Sequence, residues 1–130
     1  MLDIRHVVEH IDEVRTALAR RNPQATVPLE TITVLASQRT EAILAAEGKA
    51  AERNSASKEM ATLPKQSPQF VERRERLRAL SEECRRLEKQ KDDIEAKIAE
   101  VLLGVPNIPD ASTPDGKSEL DNPVIRVWGE

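Results

Sequence analysis

A chain of 130 residues is long enough for one domain, but with one Phe, one Trp, no Tyr and 33% charged residues it lacks the bulky side chains of a globular core. The single Cys84 excludes an internal disulfide, no stretch approaches the roughly 20 apolar residues of a membrane span, and the opening MLDIRHVVEHIDEV has no signal-like apolar run, so a cytoplasmic protein with no membrane partner is the default expectation. The net charge of −3 disfavours nucleic acid only if it is spread evenly, and it is not: residues 1–48 sum to −2, residues 49–91 to +5 and residues 92–130 to −6.

From Leu2 to about Arg21 the apolar residues Ile4, Val7, Val8, Ile11, Val14 and Leu18 follow the three-and-four spacing of an amphipathic helix, with Asp3 at the N-cap and a break near His10 that could divide it in two. This gives an N-terminal helical segment over 1–22. NPQATVP, Asn22 to Pro28, holds two prolines and reads as a short connection. Residues 29–63 contain no proline and one glycine, Gly48, which predicts a first long helix of roughly 52 Å.

PKQSP, residues 64–68, then forms a turn, and a second long helix is expected over 69–103. Along it Phe70, Arg73, Leu77, Leu80, Cys84, Leu87, Lys91, Ile94, Ile98 and Val101 recur at steps of three and four, a coiled-coil seam. Two long helices joined by so short a turn must fold back on each other, so the fold class is all-α: an antiparallel two-helix hairpin with short N-terminal helices at its base. A turn centred on Gln66 and Ser67 pairs positions whose numbers add to 133 or 134. The layers are Leu63 with Phe70, Met60 with Arg73, Ser57 with Leu77, Arg53 with Leu80, Ala50 with Cys84, Ala46 with Leu87, Ile43 with Lys91, Arg39 with Ile94, Ala36 with Ile98, and Ile32 with Val101. The basic third then lies in the distal half of both helices. Residues 1–104 form the helical domain, 105–130 are a proline-rich strap, and VIRVWGE at its end could be a short strand without an identified partner.

The sequence has no glycine-rich phosphate loop, no nucleophile elbow and no Cys/His metal cluster, so no catalytic site or metal site is assigned. His6 and His10 have the i, i+4 spacing of zinc ligands but lack an evident third ligand, and they read as surface residues. The basic middle third is rich in arginine, whose planar fork suits phosphates. Glu72, Glu75, Glu82, Glu83 and Glu88 lie among those arginines, so a solvated coiled-coil face is the competing account. With no interleaved aromatics, recognition of a folded RNA by shape and backbone is favoured over single-strand stacking, and DNA is not expected.

Three stretches resemble the N-terminal region of bacterial-type seryl-tRNA synthetases, in order and across nearly the whole chain. They are MLDIRHVVEHIDEVRTALARR, AERNSASKEM (Ala51 to Met60) and VPNIPDASTPDGKSELDNPVIRVWGE (Val105 to Glu130), the last similar to the family's I-P-N-I-P strap and W-G-E. The resemblance implies a tRNA-binding arm that recognises the long variable arm and elbow of serine tRNA by shape. It further implies a class II catalytic domain after Glu130, using ATP and Mg for aminoacylation, in a parent enzyme that is a homodimer. Arg53, Asn54 and Lys58 match the family's motif, while Lys65, Arg73, Arg74 and Arg76 are added from charge and their position near the turn. The family's paired arginines early in the first helix stand here as Arg39 and Thr40. An excised domain is the expectation, and the alternatives are a free-standing arm homologue or a coiled-coil adaptor that binds protein rather than tRNA.

Overall fold

The computed structural model describes residues 1–129, and among these no strand occurs. Four α-helices form: α1 (Ile4–Glu9), α2 (Ile11–Arg21), α3 (Val27–Ala61) and α4 (Pro68–Gly104). Met1–Ile32 together with the chain from Val101 onward make one compact unit, and Thr33–Glu100 make a second.

In the first unit Asp3 caps α1, its carboxylate accepting from the Arg5 and His6 amides at 2.8 and 3.2 Å. Such a cap satisfies amides that have no partner within the helix. The break at His10 separates α1 from α2, with His10 at φ −121° and ψ 37° and its amide bonded to the His6 carbonyl. Asn22 then ends α2 and caps a 3-10 turn over Pro23–Thr26 through its side chain. Val7, Val14, Leu18, Leu29 and Ile32 are essentially inaccessible to solvent and constitute the core, joined by Leu102 and Val105. Val105 opens the strap, so the strap contributes one side chain to the core and is otherwise irregular apart from a 3-10 turn at Glu119–Asp121. Residues 124–129 form no strand, since an isolated extended segment leaves its backbone groups without ladder partners, and within them the Arg126 guanidinium lies 5.3 Å from the Trp128 ring centroid. Glu130 lies outside the described residues.

α3 starts at Val27, two residues before the expected Leu29, because Pro28 falls in the first turn, where its missing N–H costs nothing. At the other end Thr62 and Leu63 leave the helix. Their amides bond three residues back, to the Glu59 and Met60 carbonyls, and tighten the chain into the turn. Pro68 opens α4, and the Ser67 hydroxyl accepts from the Phe70 amide at 3.2 Å. The connection thus occupies residues 62–67.

The second unit is the expected antiparallel helical hairpin. Every seam position named for α4 between Phe70 and Ile98 is buried or half-buried. On α3 the seam differs from expectation. Arg39, Ala46, Arg53 and Met60 are half-buried, as are the expected Ala36, Ile43 and Ala50, but the most deeply buried positions are Leu35, Ala42 and Ala56, Lys49 is half-buried beside them, and the expected Ser57 is exposed. Alanine covers so little area that it marks no face, and α3 has eight alanines distributed all round it. Ion pairs across the hairpin join Glu59 to Arg73, Lys49 to Glu83 and Arg39 to Glu95, positions adding to 132, 132 and 134, close to the expected sum, while Glu52 with Arg76 adds to 128 and reaches diagonally along the seam.

Candidate nucleic-acid interface

The second unit brings all seven sequence-derived binding candidates onto one hairpin, but their electrostatic circumstances differ. On α3, Arg53 is half-buried and donates to the Asn54 side-chain oxygen at 3.3 Å, so that pair is partly self-satisfied. Arg53 is half-buried at an expected seam position with its guanidinium beside Asn54, as is usual for a long side chain whose stem is covered and whose charged head meets water. Lys58 is exposed and, among the described residues, has no ion-pair partner. Lys65 projects from the turn in the same condition.

On α4 the cluster Arg73, Arg74 and Arg76 separates into two kinds. Arg73 reaches Glu59 on α3 with Nη1–Oε2 at 3.0 Å, and Arg76 reaches Glu52 with Nη2–Oε1 at 3.3 Å. These two arginines fasten the helices together. Arg74, between them in sequence, points away from the seam and has no partner among the described residues. A shallow groove of about 430 Å³ lies beside the turn, lined by Leu63, Gln69, Glu72, Arg73 and Arg76.

Glu52 is the centre of a small charge network. Its carboxylate accepts from Lys49 on its own helix at 3.0 Å and from Arg76 on the other, and Lys49 also lies 3.5 Å from Glu83. The Lys49 hydrogen bond, followed by that of Arg76, holds the Glu52 carboxyl below its ordinary range. Glu52 in turn holds the Lys49 ammonium above its own, chiefly through the same bond. Lys49 occupies a seam position, so this network lets a charged side chain sit where an apolar one is usual.

Arg78, Arg85 and Lys89 belong to the basic middle third but are not among the seven candidates. Together with Arg74 they stand at i, i+4, i+11 and i+15, which confines four exposed cations to about 60° of the α4 circumference over roughly 22 Å. Arg85 and Lys89 are unpaired among the described residues, and Arg78 has only an exposed contact with Glu82 at 3.6 Å. Helical spacing alone could have found this row. What drew attention to the turn instead was the local density of arginine at 73–76.

The hairpin encloses no deep cavity among the hollows described. A second shallow groove of about 530 Å³ runs along the unit between Ala42, Ala45, Leu87, Gln90 and Ile94, where small side chains leave the seam underfilled. In the first unit His6 and His10 are both exposed, with rings 4.9 Å apart, and no cluster of three metal-ligating side chains occurs among the described residues.

The family model described as the seryl-tRNA synthetase N-terminal domain matches residues 1–109. A serine–tRNA ligase of Sorangium cellulosum is 45% identical over the whole chain, which covers 30% of that relative. Serine–tRNA ligases of Thermomicrobium roseum and of an Anaeromyxobacter species are 38% and 37% identical, again over the whole chain and covering 28% and 30% of their lengths. The chain thus spans about 30% of the length of the curated relatives it matches.

Proposed function

Because the chain belongs to the seryl-tRNA synthetase N-terminal domain family, we propose that it is the tRNA-binding part of a serine–tRNA ligase, recognising the long variable arm and elbow of serine tRNA by shape and phosphate contact. The observation that carries this reading is the row Arg74, Arg78, Arg85 and Lys89 on the outer face of α4, supplemented by Lys58 and Lys65. Exposed cations without internal partners gain most from a phosphate backbone, since no ion pair must be broken before contact, and of the row only Arg78 would give up a contact, the exposed one with Glu82. A straight row of them matches a helical RNA stem, whose phosphates and 2′-hydroxyls are read by geometry and not by base sequence.

Arg73 and Arg76 contribute to the positive field and hold the helices in place, and Arg53 with Asn54 supplies a polar edge on α3. Aminoacylation, with ATP and Mg, is assigned to the part of the longer relatives that this chain does not span. A cytoplasmic location and a homodimeric parent enzyme belong to the same reading. The second reading, a coiled-coil adaptor for protein, draws on the exposed Val34 and Leu44 of α3.

Binding of the chain to serine tRNA, and to serine tRNA lacking the variable arm, over a series of salt concentrations separates the two. Preference for the intact tRNA, with the logarithm of affinity falling by about 0.7–0.9 per tenfold rise in salt for each phosphate neutralised, supports the RNA reading. Absence of binding at low salt rejects it in favour of the adaptor.

A further inference from the structure

The strap has a proline-rich sequence suited to a loose connection, yet its polar groups are tied down in three places. Near its start the Asn107 carbonyl accepts from Arg21 Nη1 at 2.9 Å. In its middle Arg20 engages two acceptors at once, the Asp115 carboxylate through Nε at 2.7 Å and the Thr113 carbonyl through Nη2. Adjacent arginines at the end of α2 therefore hold three points of a segment about ninety residues away in sequence.

On either side of the Arg20 contact the strap folds on itself. Asp110 accepts from the Ser112 amide and hydroxyl at 2.8 and 2.6 Å, and the Thr113 amide bonds to the Asp110 carbonyl. Asp121 accepts from the Lys117 and Ser118 amides at 2.7 and 3.0 Å. This second turn needs glycine at 116, where a Cβ would lie 2.5 Å from that of Asp121. Two local turns of this kind would each tumble freely on a tether. What joins them into one course is the guanidinium between them.

We propose that Arg20 and Arg21 form a latch at the end of α2 that fixes the path of residues 107–118, making the strap a positioning element instead of a flexible tether. The fork of Arg20 is essential to this. A guanidinium satisfies a carboxylate and a carbonyl in one plane, whereas a lysine ammonium offers charge without that geometry. A latch built from exposed groups is also releasable, because each contact is individually weak.

Amide hydrogen exchange on the full chain tests the latch, comparing wild type with R20A, R20K, D115N and the control R15A. The control removes an α2 cation whose contact, Glu30 at 3.9 Å, does not involve the strap. Wild type is expected to protect the Thr113, Lys117 and Ser118 amides. R20A, R20K and D115N should each accelerate all three together, by roughly fivefold, while α2 amides exchange as in wild type. Should R20A perturb α2 itself, D115N tests the same bond from the strap side. The proposal is overturned if the wild-type strap exchanges at unprotected rates, or if R20A and D115N match R15A.

Discussion

Arg73 is held by Glu59 across the hairpin at 3.0 Å, and its chain neighbour Arg74 faces solvent with no partner among the described residues. One helical step of about 100° thus separates a residue that fastens two helices from one whose charge is available to a ligand. Charge reversal separates the two roles. R74E and R85E are expected to weaken serine-tRNA binding and to reduce the salt slope by about one each, leaving the melting temperature near that of wild type. R73E places two carboxylates side by side and should lower the melting temperature as well. Filter binding over a salt series, with circular dichroism melts of the same variants, checks both.

Leu18 is fully buried in the core of the first unit, whereas Leu44 on α3 is 64% exposed. Truncation of the first removes packed methyl groups and leaves a cavity, so L18A is expected to cost about 2–5 kcal/mol. Truncation of the second removes almost nothing from contact, and L44A should stay within about 0.5 kcal/mol of wild type. Urea denaturation of the two variants gives both values. Equal costs would mean that Leu44 is covered in solution.

Ala56 is buried on the hairpin seam and its neighbour Ser57 is exposed, the reverse of what the sequence alone suggested. A leucine at 56 would have to enter a close-packed layer, so A56L should destabilise by about 1–3 kcal/mol. S57L meets solvent and should change stability by less than about 0.5 kcal/mol. Denaturant midpoints decide the point, and a larger cost at 57 would restore Ser57 to the seam.

That difference marks where the sequence was legible and where it was not. α4 announces its buried face because Phe70, Leu77, Leu80, Leu87, Ile94 and Ile98 are large, and charged residues fill the gaps between them. α3 does not, since alanines at 42, 45, 46, 50 and 51 are compatible with several faces, and a lysine at 49 argues against the one actually used. Lys49 is tolerated there because Glu52 and Glu83 lie within reach, a fact that depends on the second helix being in place. The ends of the two long helices lie within two residues of expectation, and both starts differ at a proline, Pro28 or Pro68, since prolines start helices as readily as they stop them. For the site, the basic character of residues 49–91 was evident, but which arginines are already engaged could be learned only from the carboxylates opposite them. The strap's contacts with Arg20 and Arg21 link residues too distant in sequence for any local pattern to disclose.

Glu52 gives the hairpin a pH dependence whose sign follows from its partners. The hydrogen bond from Lys49, and next that from Arg76, lower its carboxyl below the ordinary 4.5. A depressed carboxyl stabilises the fold fully above its unfolded value, and that contribution disappears as pH falls through the lower folded value. Lys49 behaves oppositely. Its raised value, due first to the Glu52 hydrogen bond, makes its contribution complete below the ordinary 10.5 and lost only as pH rises through the raised folded value. Between those limits the pair is intact, so E52Q should melt below wild type by a margin that is constant across the neutral range. On acidification from 4.5 through the lower folded value the margin should close, since wild type ends with a protonated carboxyl at the same place. Because other carboxylates titrate in the same range, the readout is the difference between the two melting curves at each pH and not either curve alone. A margin that persists at about pH 2 would assign the loss in E52Q to side-chain shape and remove the charge network as its cause.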